Sequence, residues 1–250
     1  MAKISKNNYK LTISYDGSRY YGWEHQPDKD TIQGKLETVI SKLTGTETEV
    51  IGAGRTDAGV HAKGMVANAV ITTDMSEQLL KEQINRYLPD DISVTDLKIA
   101  AERFHARYKA VGKTYRYTCY YGENKPVFDR KYLYRLDLEP DLEKMIKAAE
   151  YLTGEHDYAS FCSNPKMKKS TVRIVDKIDI KKKSGYITFT YHGTGFLQHM
   201  VRILTGTLLE VGYGKRTPES IPALIDAKDR KLAGFTAPAQ GLCLISVDYN

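Results

Sequence analysis

Apolar and polar residues alternate with period two over Tyr9-Lys-Leu-Thr-Ile-Ser-Tyr15, which predicts a half-buried strand. The period then becomes helical. Ile32, Leu36, Val39, Ile40 and Leu43 fall on one face, Asp30 and Gln33 stand ahead of them at capping-box spacing, and Gly45 closes the run. Strands are predicted over 47–53 and 64–72. A helix over 76–88 follows, with Leu79, Leu80, Ile84 and Leu88 on one face and Pro89 as its stop. A strand over 92–101 completes a β-α-β-β-α-β order.

That order then returns. Ala110 to Tyr121 alternates, and Pro140 opens a helix bearing Leu142, Met145, Ile146, Ala149 and Leu152. Arg173–Lys182 and Tyr186–Tyr191 predict a strand pair around Lys183-Ser184-Gly185. A helix over Phe196–Val211 aligns Met200, Ile203, Leu204 and Leu208. A short extra helix follows Thr217-Pro218, and Gln240–Tyr249 reads as the last strand. The expected fold is α+β: two ferredoxin-like (split β-α-β) halves, 1–106 and 107–250, with adjoining antiparallel sheets and a central cleft. No Gly/Ser-rich linker separates the halves, so a rigid pair is expected.

Composition narrows the classes. The 250 residues are 41% hydrophobic and 27% charged, which excludes wholesale disorder. No apolar run approaches the ~18 residues of a membrane span, and the basic N-terminus lacks an apolar signal-peptide core, so a soluble cytoplasmic chain is expected. Lys and Arg number 37 against 31 Asp and Glu, a net +6, alongside 18 Tyr and 6 Phe. That balance suits a polyanionic partner whose bases can be stacked, such as RNA. Cys119, Cys162 and Cys243 form no C-x-x-C pair, which argues against a zinc site or disulfide framework. The histidines show no metal spacing, and no P-loop or kinase motif occurs. Neither a metal nor a nucleotide cofactor is expected.

Three segments carry candidate chemistry. Gly52-Ala-Gly-Arg-Thr-Asp-Ala-Gly-Val-His-Ala62 lies between two predicted strands and gathers glycines around Arg55 and Asp57. It is not a dinucleotide fingerprint, since a strand follows it and Asp57 would sit where a pyrophosphate belongs. Two readings stay open: a turn aspartate bonding its own backbone, or a carboxylate held at a loop tip. On Lys113-Thr-Tyr-Arg-Tyr117, Lys113, Tyr115 and Tyr117 share one strand face. That is either an exposed RNA-stacking face or a tyrosine ladder within a sheet. Arg202 falls close to the apolar stripe of its helix, which leaves two readings: an arginine that finds a carboxylate partner, or a solvated helix charge. His156, Asp157, Ser160 and Cys162 read as loop and turn material. Lys166, Lys168, Lys169 and Arg173 form a basic stretch suited to phosphate contact or to solvent.

Together these strings resemble the tRNA pseudouridine(38–40) synthase family. The resemblance rests on Arg55-Thr-Asp-Ala-Gly-Val-His-Ala62, Lys113-Thr-Tyr-Arg-Tyr117, Gly154-Glu-His-Asp-Tyr158 with Phe161, Phe196-Leu-Gln-His-Met-Val-Arg202 and Ala237-Pro-Ala-Gln-Gly-Leu-Cys-Leu244, in that order along nearly the whole chain. It implies cofactor-independent isomerisation of uridine to pseudouridine in the anticodon stem-loop of tRNA, by a homodimer. It makes Asp57 the catalytic carboxylate, with Arg55, Tyr115 and Arg202 as its catalytic companions. It assigns substrate binding to Tyr115, Arg55, His61, Lys113 and Leu244. A non-catalytic protein of two RNA-recognition-like modules is the main rival, but no RNP1 string is present. A nucleoside or glycoside hydrolase is the second rival, and it lacks a second carboxylate in a comparable setting.

Overall fold

The computed structural model describes residues 4–164 and 167–250. Among these the fold is α+β. In chain order the elements are β1 (Ser5–Tyr15), α1 (Ile32–Thr44), β2 (Ile51–Gly52), β3 (His61–Thr73), α2 (Glu77–Tyr87) and β4 (Ile92–Ile99). They continue with β5 (Ala110–Tyr120), β6 (Tyr134–Arg135), α3 (Leu142–Leu152), β7 (Gly154–Asp157), β8 (Val172–Lys183), β9 (Tyr186–Gly193), α4 (Met200–Gly212), α5 (Ile221–Ala227) and β10 (Leu242–Tyr249). The chain folds as two units, Met1–Val111 with Leu244–Asn250, and Gly112–Cys243.

In the first unit the strand order is β4-β1-β3-β10, with β2 also on β3, and β1 runs antiparallel to both β3 and β4. The alternation of β1 is the reason it lies there. Tyr9, Leu11, Ile13 and Tyr15 are buried on one face, each such side chain contributing about 1.5–3 kcal/mol. Helix α1 buries Ile32, Leu36 and Ile40, and Gly45 ends it at φ 67°. Its N-cap is Thr31, whose hydroxyl accepts from the Gly34 N–H at 3.2 Å. Asp30, the expected cap, instead pairs with Lys35 at 2.5 Å, and Gln33 serves His25 and Glu37. Helix α2 is capped by Ser76 and tied to β4 by the Asn85 amide, which makes both bonds to the backbone of Val94. Leu79, which the spacing puts on the apolar face, stands exposed, while Leu80, Ile84 and Leu88 are buried.

In the second unit the order is β5-β9-β8-β7, antiparallel throughout, with β6 parallel to β5. Ser184 (φ 51°) and Gly185 (φ 82°) join β8 to β9, the two positive φ values of a tight hairpin whose twist matches its strands. Helix α3 packs on α4, α5 and β8.

Four local expectations are corrected. The strand over 47–53 contracts to Ile51–Gly52, which pairs with β3, and the Ala53 N–H adds a bond to the Val66 carbonyl at 2.8 Å. Helix α4 begins at Met200 rather than Phe196, because His199 adopts a left-handed φ of 59° that a helix cannot run through. Residues 154–161 are β7 plus a 3-10 turn rather than loop. Ile146 lies exposed while Ala148 takes its place in the core of α3. Of the basic stretch near 166, Lys166 lies outside the described residues.

Candidate active site

In the first unit the loop between β2 and β3 carries Arg55 and Asp57, and His61 opens β3 directly after it. Backbone contacts hold this loop. The Trp23 N–H donates to the Thr56 carbonyl at 3.1 Å, and the Gly59 N–H donates to the Tyr20 carbonyl at 3.3 Å. The Val60 N–H closes a turn onto the Asp57 carbonyl at 3.1 Å, with Gly59 at φ 78° in the position a type II turn reserves for glycine. Beneath the turn, the buried hydroxyls of Tyr15 and Thr56 share a 2.8 Å hydrogen bond.

The segment over 15–23 approaches too closely for side chains. A Cβ on Gly22, itself at φ 93°, would lie 2.5 Å from the Thr56 carbonyl oxygen and 3.1 Å from the Asp57 carbonyl carbon. A Cβ on Gly17 would drive into the Val60 carbonyl. Asp57 itself is half-buried. Arg55 is 65% exposed and forms an ion pair with Glu24, a surface contact of at most about 1 kcal/mol that a phosphate can replace.

His61 is buried. Its Nδ1 accepts the Gly17 N–H at 3.1 Å, and Asp16 Oδ1, itself bonded by the Ser18 N–H and hydroxyl, lies 3.2 Å from the same nitrogen. Leu244, on β10, is also buried.

In the second unit Tyr115 lies on β5, opposite Tyr191 of β9, and meets the Phe196 ring edge-on at 5.3 Å and 84°. At 8% exposure its ring is largely enclosed. Tyr117 and Cys119, on the same face, are fully buried, and Tyr117 pairs across the sheet with buried Phe189. Lys113, at the end of that face, is half-buried opposite Gly193.

Arg202 sits in the first turn of α4 and is half-buried. Its Nε donates to the Ala237 carbonyl at 2.7 Å, and the Ala237 N–H returns a bond to the Arg202 carbonyl at 3.1 Å. The Tyr117 hydroxyl donates to Pro238 O at 2.8 Å, so two consecutive residues of the closing motif are pinned. Burial pushes the Tyr117 hydroxyl far above its ordinary range, an effect that the Arg202 cation opposes.

Residue spacing did not single out Gly17, Gly22, Thr56 or Phe196. Glycines flanking a lone tryptophan, Gly-x5-Trp over Gly17–Trp23, were the available signal for the first two. Phe196 heads the string that carries the resemblance, but its contact with Tyr115 depends on the helix starting four residues later than its apolar stripe suggests.

A family model described as tRNA pseudouridine synthase matches residues 11–109 and 148–250. The chain belongs to the tRNA pseudouridine synthase family. It is 44% identical to tRNA pseudouridine synthase A of Bacillus sp. (strain KSM-64) over 97% of this chain and 100% of that protein. It is 43% identical to tRNA pseudouridine synthase A 2 of Bacillus anthracis over the same shares, and 43% identical to that of Clostridium perfringens over 97% and 99%. A solved Cbf5-Nop10-Gar1 complex contains a chain that aligns at TM-score 0.34 and 13% identity, over 80% of this chain and 54% of that one, a likeness too slight to bear on the fold. Arg55, Asp57, His61, Arg202 and Leu244 fall within the segments matched by the family model, while Lys113 and Tyr115 fall between them. Membership in this family of enzymes leaves the reading as a non-catalytic RNA-binding protein without support. Among the described residues no helix is long and apolar enough to cross a membrane.

Proposed function

We propose that this chain converts uridine to pseudouridine in the anticodon stem-loop of tRNA, at uridines 38–40, with Asp57 as the catalytic carboxylate. The match to tRNA pseudouridine synthases along almost the full chain carries the reaction. The rigidly held Arg55–Asp57 loop supports the choice of carboxylate. The reaction consumes nothing: the N1–C1′ bond breaks, the uracil turns, the C5–C1′ bond forms, C5 releases its proton and N1 gains one. As N1 leaves, positive character builds at C1′, and a fixed anion at that carbon stabilises it with no reorganisation during the step. The close backbone packing around residues 56–58 suits such a fixed charge.

The other roles follow the same reading. Tyr115 stacks on the target uracil and takes part in moving the C5 proton, its ring stiffened by Phe196. Arg202 is read as the remaining catalytic cation. Arg55 exchanges Glu24 for the phosphate of the extruded nucleotide, offsetting the few kcal/mol that base extrusion costs. Lys113 contacts the RNA backbone, while buried His61 and Leu244 serve binding by shaping the loop and the strand beside it. The halves 1–106 and 107–250 are read as ferredoxin-like, a reading supported in the first by the strand order β4-β1-β3-β2. The enzyme is proposed to act as a cytoplasmic homodimer without a cofactor, and light scattering reporting a monomer at working concentration would remove the dimer. The reaction is tested with tRNA carrying C5-tritiated uridine. The expected result is tritium release with pseudouridine mapped to positions 38–40. RNA binding without release would return the chain to the non-catalytic reading.

A further inference from the structure

Resting on the reading of tRNA as substrate, we propose that the loop over residues 101–109 is a second RNA-backbone docking surface, remote from the catalytic loop. In it Arg103, Arg107 and Lys109 grip phosphates and Tyr108 offers a flat face to the chain of nucleotides.

The charges have no other use in the fold. Arg103, Arg107 and Lys109 are exposed, and among the described residues none of the three forms an ion pair. Glu102 is the single acid in Ala101–Ala110. Three like charges held within seven residues repel one another, and a polyanion relieves that repulsion. Tyr108 is 75% exposed, with its ring 4.2 Å from that of His105. Cations interleaved with an exposed aromatic ring match RNA better than an apolar protein partner or a simple solvated turn.

The loop is also built to stay in place. The buried Asn8 amide donates to the carbonyls of Ala101 (3.1 Å), Glu102 (3.4 Å) and Phe104 (2.9 Å). The Ala106 N–H donates to the buried Asn68 side chain at 2.8 Å, and Asn68 in turn donates to Asn8 at 3.2 Å. The Tyr249 hydroxyl holds the Ala106 carbonyl at 2.7 Å. His105 Nδ1 accepts from the Arg107 and Tyr108 N–H groups at 3.2 and 3.4 Å. Lys10 lies over the Phe104 and Tyr249 rings at 5.5 and 4.4 Å and adds a fourth cation at the loop's foot. A loop ordered before binding pays less entropy on binding.

Its anchor sets its distance from the chemistry. Asn68 and His61 are both on β3, and the seven residue steps from one to the other span roughly 23 Å. Phosphates gripped there belong to a stretch of RNA other than the nucleotide at Asp57.

The test is the salt dependence of tRNA binding by the full chain, together with steady-state kinetics, for the wild type and the Arg103→Gln/Arg107→Gln variant. Each lost phosphate contact should flatten the plot of log affinity against log salt by about 1, so the double variant should flatten it by about 2. The effect should fall on KM rather than kcat. Arg103→Lys/Arg107→Lys should restore the slope, since a phosphate needs the charge more than the guanidinium shape. If the double variant fails to fold, Lys109→Gln carries the test, with an expected change of about 1. An unchanged slope and KM in a wild type that isomerises tRNA would overturn the docking surface alone. A wild type that binds tRNA without isomerising it would instead overturn the enzymatic reading. A variant that lost affinity only for phosphatidylserine vesicles would assign the loop to a membrane surface and also overturn the proposal.

Discussion

The two units hold their candidate site residues by different physics. Around Asp57 the restraint is backbone against backbone. The segment over 15–23 and the loop over 53–60 exchange main-chain hydrogen bonds, and they approach so closely that Gly17 and Gly22 have no room for a Cβ. Around Tyr115 and Arg202 the restraint is side-chain packing: an edge-on Phe196, a tyrosine ladder between β5 and β9, and a guanidinium bonded to the Ala237 carbonyl. A backbone clamp fixes a short side chain within a few tenths of an ångström but tolerates almost no substitution. A packed aromatic ring is positioned by shape, which a ring of the same size preserves. Damage should therefore spread differently from the two regions.

The largest separation of these behaviours is expected at Tyr115. Tyr115→Phe keeps the ring, its Phe196 contact and its burial, so tRNA affinity and melting temperature should hold. Removing a hydroxyl that takes part in proton transfer should lower turnover by roughly 10²–10⁴-fold. Single-turnover assays with binding measured in parallel read this directly, and unchanged turnover would take the hydroxyl out of the mechanism.

Gly22→Ala probes the other restraint. A methyl group placed 2.5 Å from the Thr56 carbonyl must displace the loop, and φ 93° is strained for any L side chain. A shift of about 1 Å in Asp57 should cost around a hundredfold in turnover. Thermal denaturation should show a loss of about 1–3 kcal/mol. Normal kinetics in this variant would mean that the loop's position does not matter to the chemistry.

Thr56→Val leaves the loop backbone intact but removes the 2.8 Å hydrogen bond between the Thr56 and Tyr15 hydroxyls. A stability loss of about 0.5–1.5 kcal/mol is expected, with a smaller kinetic defect than at Gly22.

The smallest effect is expected at Asp157. A hydrogen bond from Thr171, then one from Lys228, holds its carboxyl below the ordinary carboxylate range. A depressed folded-state pKa contributes stability that is present at neutral pH and disappears as the pH falls through the folded value. Asp157→Asn should cost about 1 kcal/mol at pH 7, because the Lys228 partner is more than half exposed, and the difference from wild type should vanish in acid. Denaturant titrations across that pH window would show it, while turnover stays unaffected.

What could be read in the residues follows the same division. Strand β1, helices α1 and α2 and the 183–186 hairpin were legible because their signals are local: period, cap and turn chemistry. Arg55-Thr-Asp57 stood out because its glycines are neighbours in sequence. The clamp on that loop did not stand out, since Gly17 and Gly22 lie more than thirty residues before the backbone they touch. The start of α4 was misplaced because Phe196 continues the apolar character of the helix while packing on Tyr115 from outside it. Asp30 looked like a cap by spacing, yet Thr31 won because its hydroxyl reaches the Gly34 N–H while Asp30 pairs with Lys35. Periodicity placed Tyr115 on the right face but could not say that this face is the interior one.

The most direct measurement is single-turnover tritium release from C5-labelled uridine in tRNA by Asp57→Asn, with tRNA affinity measured on the same preparation. The exchange removes one negative charge and almost no volume. The predicted result is affinity close to wild type with release reduced at least a thousandfold, a loss equivalent to about 4 kcal/mol of transition-state stabilisation. Release at the wild-type rate would contradict the assignment of Asp57 as the catalytic carboxylate.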